Sequence, residues 1–405
     1  MLRYILPLAA LAAAVACSEN STGVGPANPP TPPADPAVET AETNAPVYWN
    51  GVARDLVGTY RFNALQAIRG YAIVSLAQYN AAIAADKARS VRLPEGGKGI
   101  RPSAHAAISA ASVVVLTYLH PSEASALEAR MTQYLDGDIR PSERNKNVEL
   151  GEAIGREIGA QVVERAKNDG FFGPWTGTVP TGAGKWVPNG APVGPTVGQG
   201  KPFFMTSGNQ FRPAPPPAFG TAEFTAALAE IRAISDTRTE EQKKIAVFWN
   251  LPAGTYQPPG YWNEEAATLA LRFRLDEREA AHTLALMNMV SYDAIVASHE
   301  AKYHYWLLRP SQADAGIVLP IGLPNFPSYP SNHAAISAGM ARVLGDRFPS
   351  EARRLDDLAD QAALSRIYGG IHYRFDGEAG LALGRTIAAW GLSHDVNKNQ
   401  PFDLR

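Results

Sequence analysis

Apolar residues recur every three or four positions along most of the chain after Val47, the spacing of a helix that buries one face. The clearest run is "RFNALQAIRGYAIVSLAQYNAAIAA" at 61–85, and a second covers 105–119. A third, at 142–170, follows Pro141 and stops at Gly170, which are start and stop signals for a helix. Further helices are predicted near 221–235, 239–250, 263–275, 277–308, 333–346, 351–368 and 377–393. Alternating runs rich in Val, Ile and Thr do not occur, nor does a fixed-period repeat. The pattern predicts an all-α protein with long Gly/Pro-rich loops.

The helical pattern is interrupted twice. Residues 171–219 carry Gly, Pro and aromatics without helical spacing and read as one ordered loop, either a structural wrap or a wall of a binding site. The start, "MLRYILPLAALAAAVAC", joins one Arg to a short apolar run and small residues ending at Cys17, which is the pattern of an export signal. "AVAC" resembles a lipobox, whose cysteine would be lipidated, although Ala14 stands where Leu is commoner. Residues 18–46 are rich in Pro and poor in apolar side chains, so they predict a disordered tether before a folded body at 47–405. An exported lipoprotein, periplasmic or on the cell surface, is the expectation, with membrane contact only through that anchor. No later segment is apolar for the 18 or so residues that a span needs.

Composition narrows the chemistry. Across 405 residues, 37 basic and 39 acidic side chains leave a net charge of -2, which provides no general attraction for nucleic acid. Cys17 is the only cysteine, so an internal disulfide is excluded and a catalytic thiol is not expected. Common metal and phosphate motifs fail: "HEAKY" has Tyr303 where a zinc protease needs a second histidine, Glu279 and His282 form only one E-x-x-H pair, and "GGKG" at 96–99 lacks its flanking residues. No G-x-S-x-G surrounds Ser331 or Ser337.

Three clusters remain. In "KYHYWLLRP", Lys302 and Arg309 lie seven residues apart, which would put two cations on one helix face just before Pro310. In "PSYPSNHAAISAG", Ser331 can cap a helix whose first N–H groups would face an anion, with His333 one step on. In "SRIYGGIHYRFDGEAG", Arg366 precedes a glycine pair, and His372 lies four residues before Asp376, a carboxylate able to fix its tautomer. Each cluster alone is compatible with a solvated face or a structural histidine; together they suggest an oxyanion site.

In order, the clusters read K-x6-R-P, P-S-x-H and S-R-x5-H-x3-D, and this resembles the superfamily of type 2 phosphatidic acid phosphatases and vanadium-dependent haloperoxidases. "FWNLPAGTYQPPGYWNEEA", "KPFFMTSGNQFRPAPPPAFG" and "LSRIYGGIHYRFDGEAGLALGR" look like its soluble bacterial haloperoxidase branch, so the resemblance covers about residues 50–395. It implies that Lys302, Arg309 and Arg366 neutralise a bound oxyanion, with Ser331 and the Asn332 backbone adding hydrogen bonds. His372 would be the ligand of vanadate or, in a phosphatase, the nucleophile; His333 would exchange protons and Asp376 would orient His372. Asn332 departs from the family's usual Gly. Phe326 matches the position typical of chloroperoxidases, and His299, one turn before Lys302, could line the pocket. His105, His120, His304 and His394 are expected to be structural.

The implied activity is vanadate-dependent oxidation of halide by hydrogen peroxide. The same cradle would suit a soluble acid phosphatase, which needs no cofactor and cleaves phosphate esters through a phosphohistidine, or an oxyanion-binding lipoprotein without turnover.

Overall fold

A computed structural model describes residues 44–88, 101–136, 146–395 and 399–404. The expected leader with Cys17, the tether up to residue 43, the start signal at Pro141 and the "GGKG" stretch lie outside the described residues. Polar side chains set most helix starts. Asn44, Ser103, Asn147 and Thr221 each accept from a backbone N–H of the first turn, and Thr239 and Asp276 open full capping boxes with Gln242 and Glu279. The helices are α1 (Ala45–Thr59), α2 (Ala64–Ala88), α3 (Ala104–Leu119), α4 (Ala124–Asp136), α5 (Val148–Lys167), α6 (Ala222–Thr237) and α7 (Glu240–Phe248). They continue as α8 (Gln257–Arg272), α9 (Glu277–Tyr305), α10 (Pro310–Ala313), α11 (Asn332–Arg347), α12 (Ala352–Tyr368) and α13 (Arg374–His394). Among the described residues there are isolated β-bridges but no strands, so the protein is all-α. No described helix is long and apolar enough to cross a membrane.

Two cores share α9. Its Ala281, Ala285 and Met289 pack with Trp49, Ile73, Val113 and Val162 of the first bundle. On its other face Leu284, Met287 and Val290 join Ile336, Leu344, Leu355 and Ile387 of the second. Close helix approach depends on small residues in both bundles. A Cβ at Gly155 of α5 would stand 2.2 Å from the Ala107 carbonyl of α3, and one at Gly384 of α13 would stand 2.1 Å from the Ala335 carbonyl of α11. The second contact places α13 against the first turn of α11, where the P-S-x-H residues lie.

The structure corrects three boundaries. Residues 44–46 belong to the folded body instead of the tether: Asn44 is buried and the Ala45 N–H donates to Glu277 Oε1 at 3.1 Å. Helix α8 starts at Gln257 and not near 263, because Pro258 and Pro259 fall in its first turn, where a missing N–H costs no intrahelical bond. Helix α9 ends at Tyr305 and not at 308, so Arg309 does not share a helix face with Lys302. The break is at Trp306, in the left-handed region at φ 57°. There the long loop captures the backbone: Trp186 N–H donates to Trp306 O at 2.8 Å and Leu308 N–H to Gly184 O at 3.1 Å.

That loop, 171–219, is ordered with one short 3-10 turn at Val197–Gln199. Buried Asp293 of α9 holds it by accepting from the N–H groups of Phe203, Phe204 and Met205 at 2.7, 2.8 and 3.0 Å.

Candidate oxyanion site

The segment 326–333, the 369–373 connection and the end of α9 converge on one buried site. Ser331 caps α11, accepting from Ala334 N–H at 3.4 Å, while its own N–H donates to Asp376 O at 2.9 Å. Gly370, at φ +72°, allows the turn after α12 that brings His372 inward. His372 Nδ1 faces Asp376 Oδ2 at 2.7 Å, and its Nε2 faces Arg309 Nη1 at 3.0 Å. A guanidinium can only donate, so Nε2 bears the lone pair and Nδ1 the proton. Asp376 Oδ2 also accepts from Ser328 Oγ and from the Tyr373 N–H. Burial raises the Asp376 carboxyl to about 6, and burial together with the Arg309 and Lys302 charges holds His372 well below the usual imidazole range.

Arg309 reaches the site from the extended stretch before α10, not from α9. Its Nε donates to Phe326 O at 3.1 Å and its Nη1 to Ile371 O at 2.8 Å, while Nη2 is buried without a partner. Arg366 of α12 is braced by Ser365 Oγ at 2.9 Å and by the Ala246 carbonyl at 2.8 Å. Burial, then the neighbouring Arg309, lowers Arg366 to about 9. Lys302 Nζ donates to the carbonyls of Pro327, Ser328 and Pro330, which accounts for all three ammonium protons. Lys302 thereby ties down the turn that carries Ser328 and Ser331. Phe326 covers both cations, with its ring centre 5.1 Å from Lys302 Nζ and 5.1 Å from the Arg309 guanidinium.

His333 Nε2 lies 2.9 Å from the Trp249 carbonyl at the end of α7, so that nitrogen carries the proton and Nδ1 is left for proton exchange. Burial and Arg366 hold His333 well below its usual range. The Asn332 side chain turns toward α9: Ser298 Oγ donates to its Oδ1 at 2.6 Å, and its Nδ2 lies 3.1 Å from His299 Nε2. His299 Nδ1 lies 3.0 Å from Gly194 O, and burial and Lys302 push His299 down to about 3. His299 thus sits behind the pocket wall and does not line the cavity.

The cavity in front of the two catalytic imidazole candidates holds about 110 Å³ and is lined mainly by apolar groups, among them Leu65, Val193, Ile295, Phe326 and Ile336. Val193 makes the long loop part of the wall. Sequence reasoning assigned no role to Ser328 or Ser298, nor to the Ala246 and Trp249 carbonyls. Ser328 lies inside the P-S-x-H segment and Trp249 inside a family-like stretch, but contacts made by a carbonyl leave no trace in side-chain identity. His105 pairs with Glu277, His120 packs on Phe62, His304 meets Arg212, and His394 caps onto Trp390 O, all away from the site.

Three buried cations facing a single carboxylate are costly without a counter-charge. The unpartnered Arg309 Nη2 and the free N–H groups at the start of α11 suit a tetrahedral oxyanion such as vanadate or phosphate.

Residues 347–398 match the model of the second helical-bundle domain of vanadium chloroperoxidase-type proteins. A vanadium-dependent bromoperoxidase of Ascophyllum nodosum is 35% identical over a stretch that spans 18% of this chain and 19% of the bromoperoxidase. A bacterial vanadium-dependent iodoperoxidase shares the fold with a TM-score of 0.73 at 21% identity, over 85% of this chain and 95% of that one. A bacterial vanadium-dependent chloroperoxidase does so with a TM-score of 0.67 at 16% identity, over 86% and 95%. The chain thus has the fold of the bacterial vanadium haloperoxidases, and its residues 347–398 resemble their second helical bundle.

Proposed function

We propose that the site holds vanadate and oxidises halide with hydrogen peroxide. The observation that carries this reading is the cavity: a space of about 110 Å³ has mainly apolar walls and reaches His333 and His372, the latter hydrogen-bonded to Arg309. Such walls admit peroxide and a weakly hydrated halide readily, whereas they would strip a phosphate ester dianion of water before it reached Arg309.

Bound vanadate would supply the activation of peroxide toward halide. His372 would hold it through the Nε2 lone pair, exchanging Arg309 Nη1 for the new partner. Asp376 keeps the proton on Nδ1, so that lone pair is always presented. Arg309 Nη2, Arg366 and the Asn332 N–H would balance the oxygen charges. His333 Nδ1 would take a proton from incoming peroxide and return it to the departing hydroxyl, with Nε2 anchored on Trp249 O. Lys302 acts by fixing the turn.

The test is a paired assay on the purified chain: bromination and iodination of a phenolic reporter with vanadate and peroxide, and p-nitrophenyl phosphate hydrolysis without vanadate. Vanadate-dependent halogenation that disappears in His333→Ala is expected. Hydrolysis inhibited by vanadate, with no halogenation, would reverse the assignment to a phosphatase.

A further inference from the structure

The Asn332 carboxamide is held on both sides, and both holders belong to α9. Ser298 Oγ donates to Oδ1 at 2.6 Å, and Nδ2 lies 3.1 Å from His299 Nε2. The tautomer follows from the far side of the ring. Gly194 O can only accept, so His299 Nδ1 bears the proton and Nε2 the lone pair that receives Asn332 Nδ2–H. Asn332, His299 and Ser298 are all buried. Asn332 is the first residue of α11, its N–H lacks an intrahelical acceptor, and it is one of the residues lining the cavity in front of His372.

We propose that His299, with Ser298, is a positioning residue that keeps the Asn332 carboxamide out of the oxyanion pocket. Without that hold, the amide loses a buried acceptor and is free to rotate toward the cavity that Asn332 lines. Its Nδ2 and Oδ1 would turn toward the Arg309 Nη2 and His372 Nε2 side and compete with the anion. The close approach of Gly194 completes the arrangement: a Cβ there would stand 3.0 Å from His299 Cε1, so this stretch of loop sits directly on the ring. The proposal rests on the oxyanion reading of the site but not on which of its two chemistries operates.

A double-mutant cycle on the full chain tests it, read by calorimetric titration with vanadate and, separately, with inorganic phosphate. His299→Phe should weaken oxyanion binding about tenfold, the effect of leaving one buried donor unpaired. Asn332→Gly in the same chain should restore binding to within about threefold of the parent, because no carboxamide remains to occlude the pocket. His299→Gln, which can offer an oxygen to Nδ2, should stay near the parent. If His299→Phe does not fold, Ser298→Ala releases the other side of the same amide and must show the same rescue by Asn332→Gly. Additive losses in the cycle, or binding unchanged in both single variants, overturn the proposal. A parent chain that binds neither vanadate nor phosphate overturns the oxyanion reading itself, which is a different result.

Discussion

Arg309 Nη1 donates to His372 Nε2 at 3.0 Å, on the opposite side of the ring from the 2.7 Å contact with Asp376. One imidazole is thereby set between a guanidinium and a carboxylate, with its lone pair turned toward the cations. An arriving oxyanion would take both the lone pair and the unpartnered Nη2 of Arg309.

Arg309→Ala removes that donor pair. Vanadate affinity, followed by titration calorimetry, should fall about 10²-fold or more, the scale of losing one preorganised oxyanion donor. Parent-like affinity would show that Arg309 does not meet the anion.

Asp376→Asn keeps the size of the side chain but lacks the charge that orients His372. Ser328 Oγ, the Tyr373 N–H and His372 Nδ1 all compete for its single carbonyl oxygen. Turnover should drop on the order of 10⁴-fold, by analogy with the loss of an orienting carboxylate beside a catalytic imidazole, while circular dichroism stays that of the parent. Turnover within a few-fold of the parent would remove Asp376 from the site.

Lys302→Met should act on stability as well as on binding, because the ammonium bridges three carbonyls of the 327–330 turn. Its Tm in the absence of any oxyanion should fall clearly below that of the parent. An unchanged Tm, with only anion binding lost, would mean that Lys302 serves the ligand and not the turn.

Acid should destabilise the folded chain. His299 at about 3, His120 at about 4, and His333 and His372 well below normal stay neutral in the fold, yet they protonate near 6.5 once unfolded. Depressed values of this kind give stability that is present above 6.5 and is lost as pH falls through the folded values. Asp293 and Asp376, raised to about 6, oppose the trend, since the folded state binds their protons first. Four imidazoles against two carboxyls leave a net loss, each uncompensated proton contributing about 1.4 kcal/mol per pH unit. Urea unfolding at pH 7.5 and pH 5 should show the lower midpoint at pH 5; the reverse order would contradict the buried neutral histidines.

Gly384→Ala probes the α11–α13 contact. With only 2.1 Å between the new Cβ and the Ala335 carbonyl, α13 must move outward. Overpacking of this kind costs about 1–3 kcal/mol and should lower oxyanion affinity too, since α13 carries Asp376. Unchanged urea midpoint and affinity would show that the helices can separate freely.

The amino-acid sequence alone determined the helical class, most helix positions and the identities of the charged groups at the site. Helical periodicity and capping residues are local, and Lys302, Arg309, Ser331, His333, Arg366, His372 and Asp376 fall in compact motifs whose spacing is legible along one dimension. Tertiary structure alone decided how those groups are used. Trp306 leaves the helix because a loop more than a hundred residues earlier pairs with its backbone, so Arg309 enters from a different direction than helical spacing implied. Lys302 turned out to brace carbonyls, and His333 and Arg366 rest on the carbonyls of Trp249 and Ala246, acceptors that every residue type provides. The contact between His299 and Asn332 joins positions 33 residues apart that only the packing of α9 on α11 brings together. Gly151, Gly155 and Gly159 recur every four residues, but which backbone comes close to them is set by the partner helix. Long-range packing and backbone acceptors are properties of the folded chain, and side-chain identity does not encode them locally.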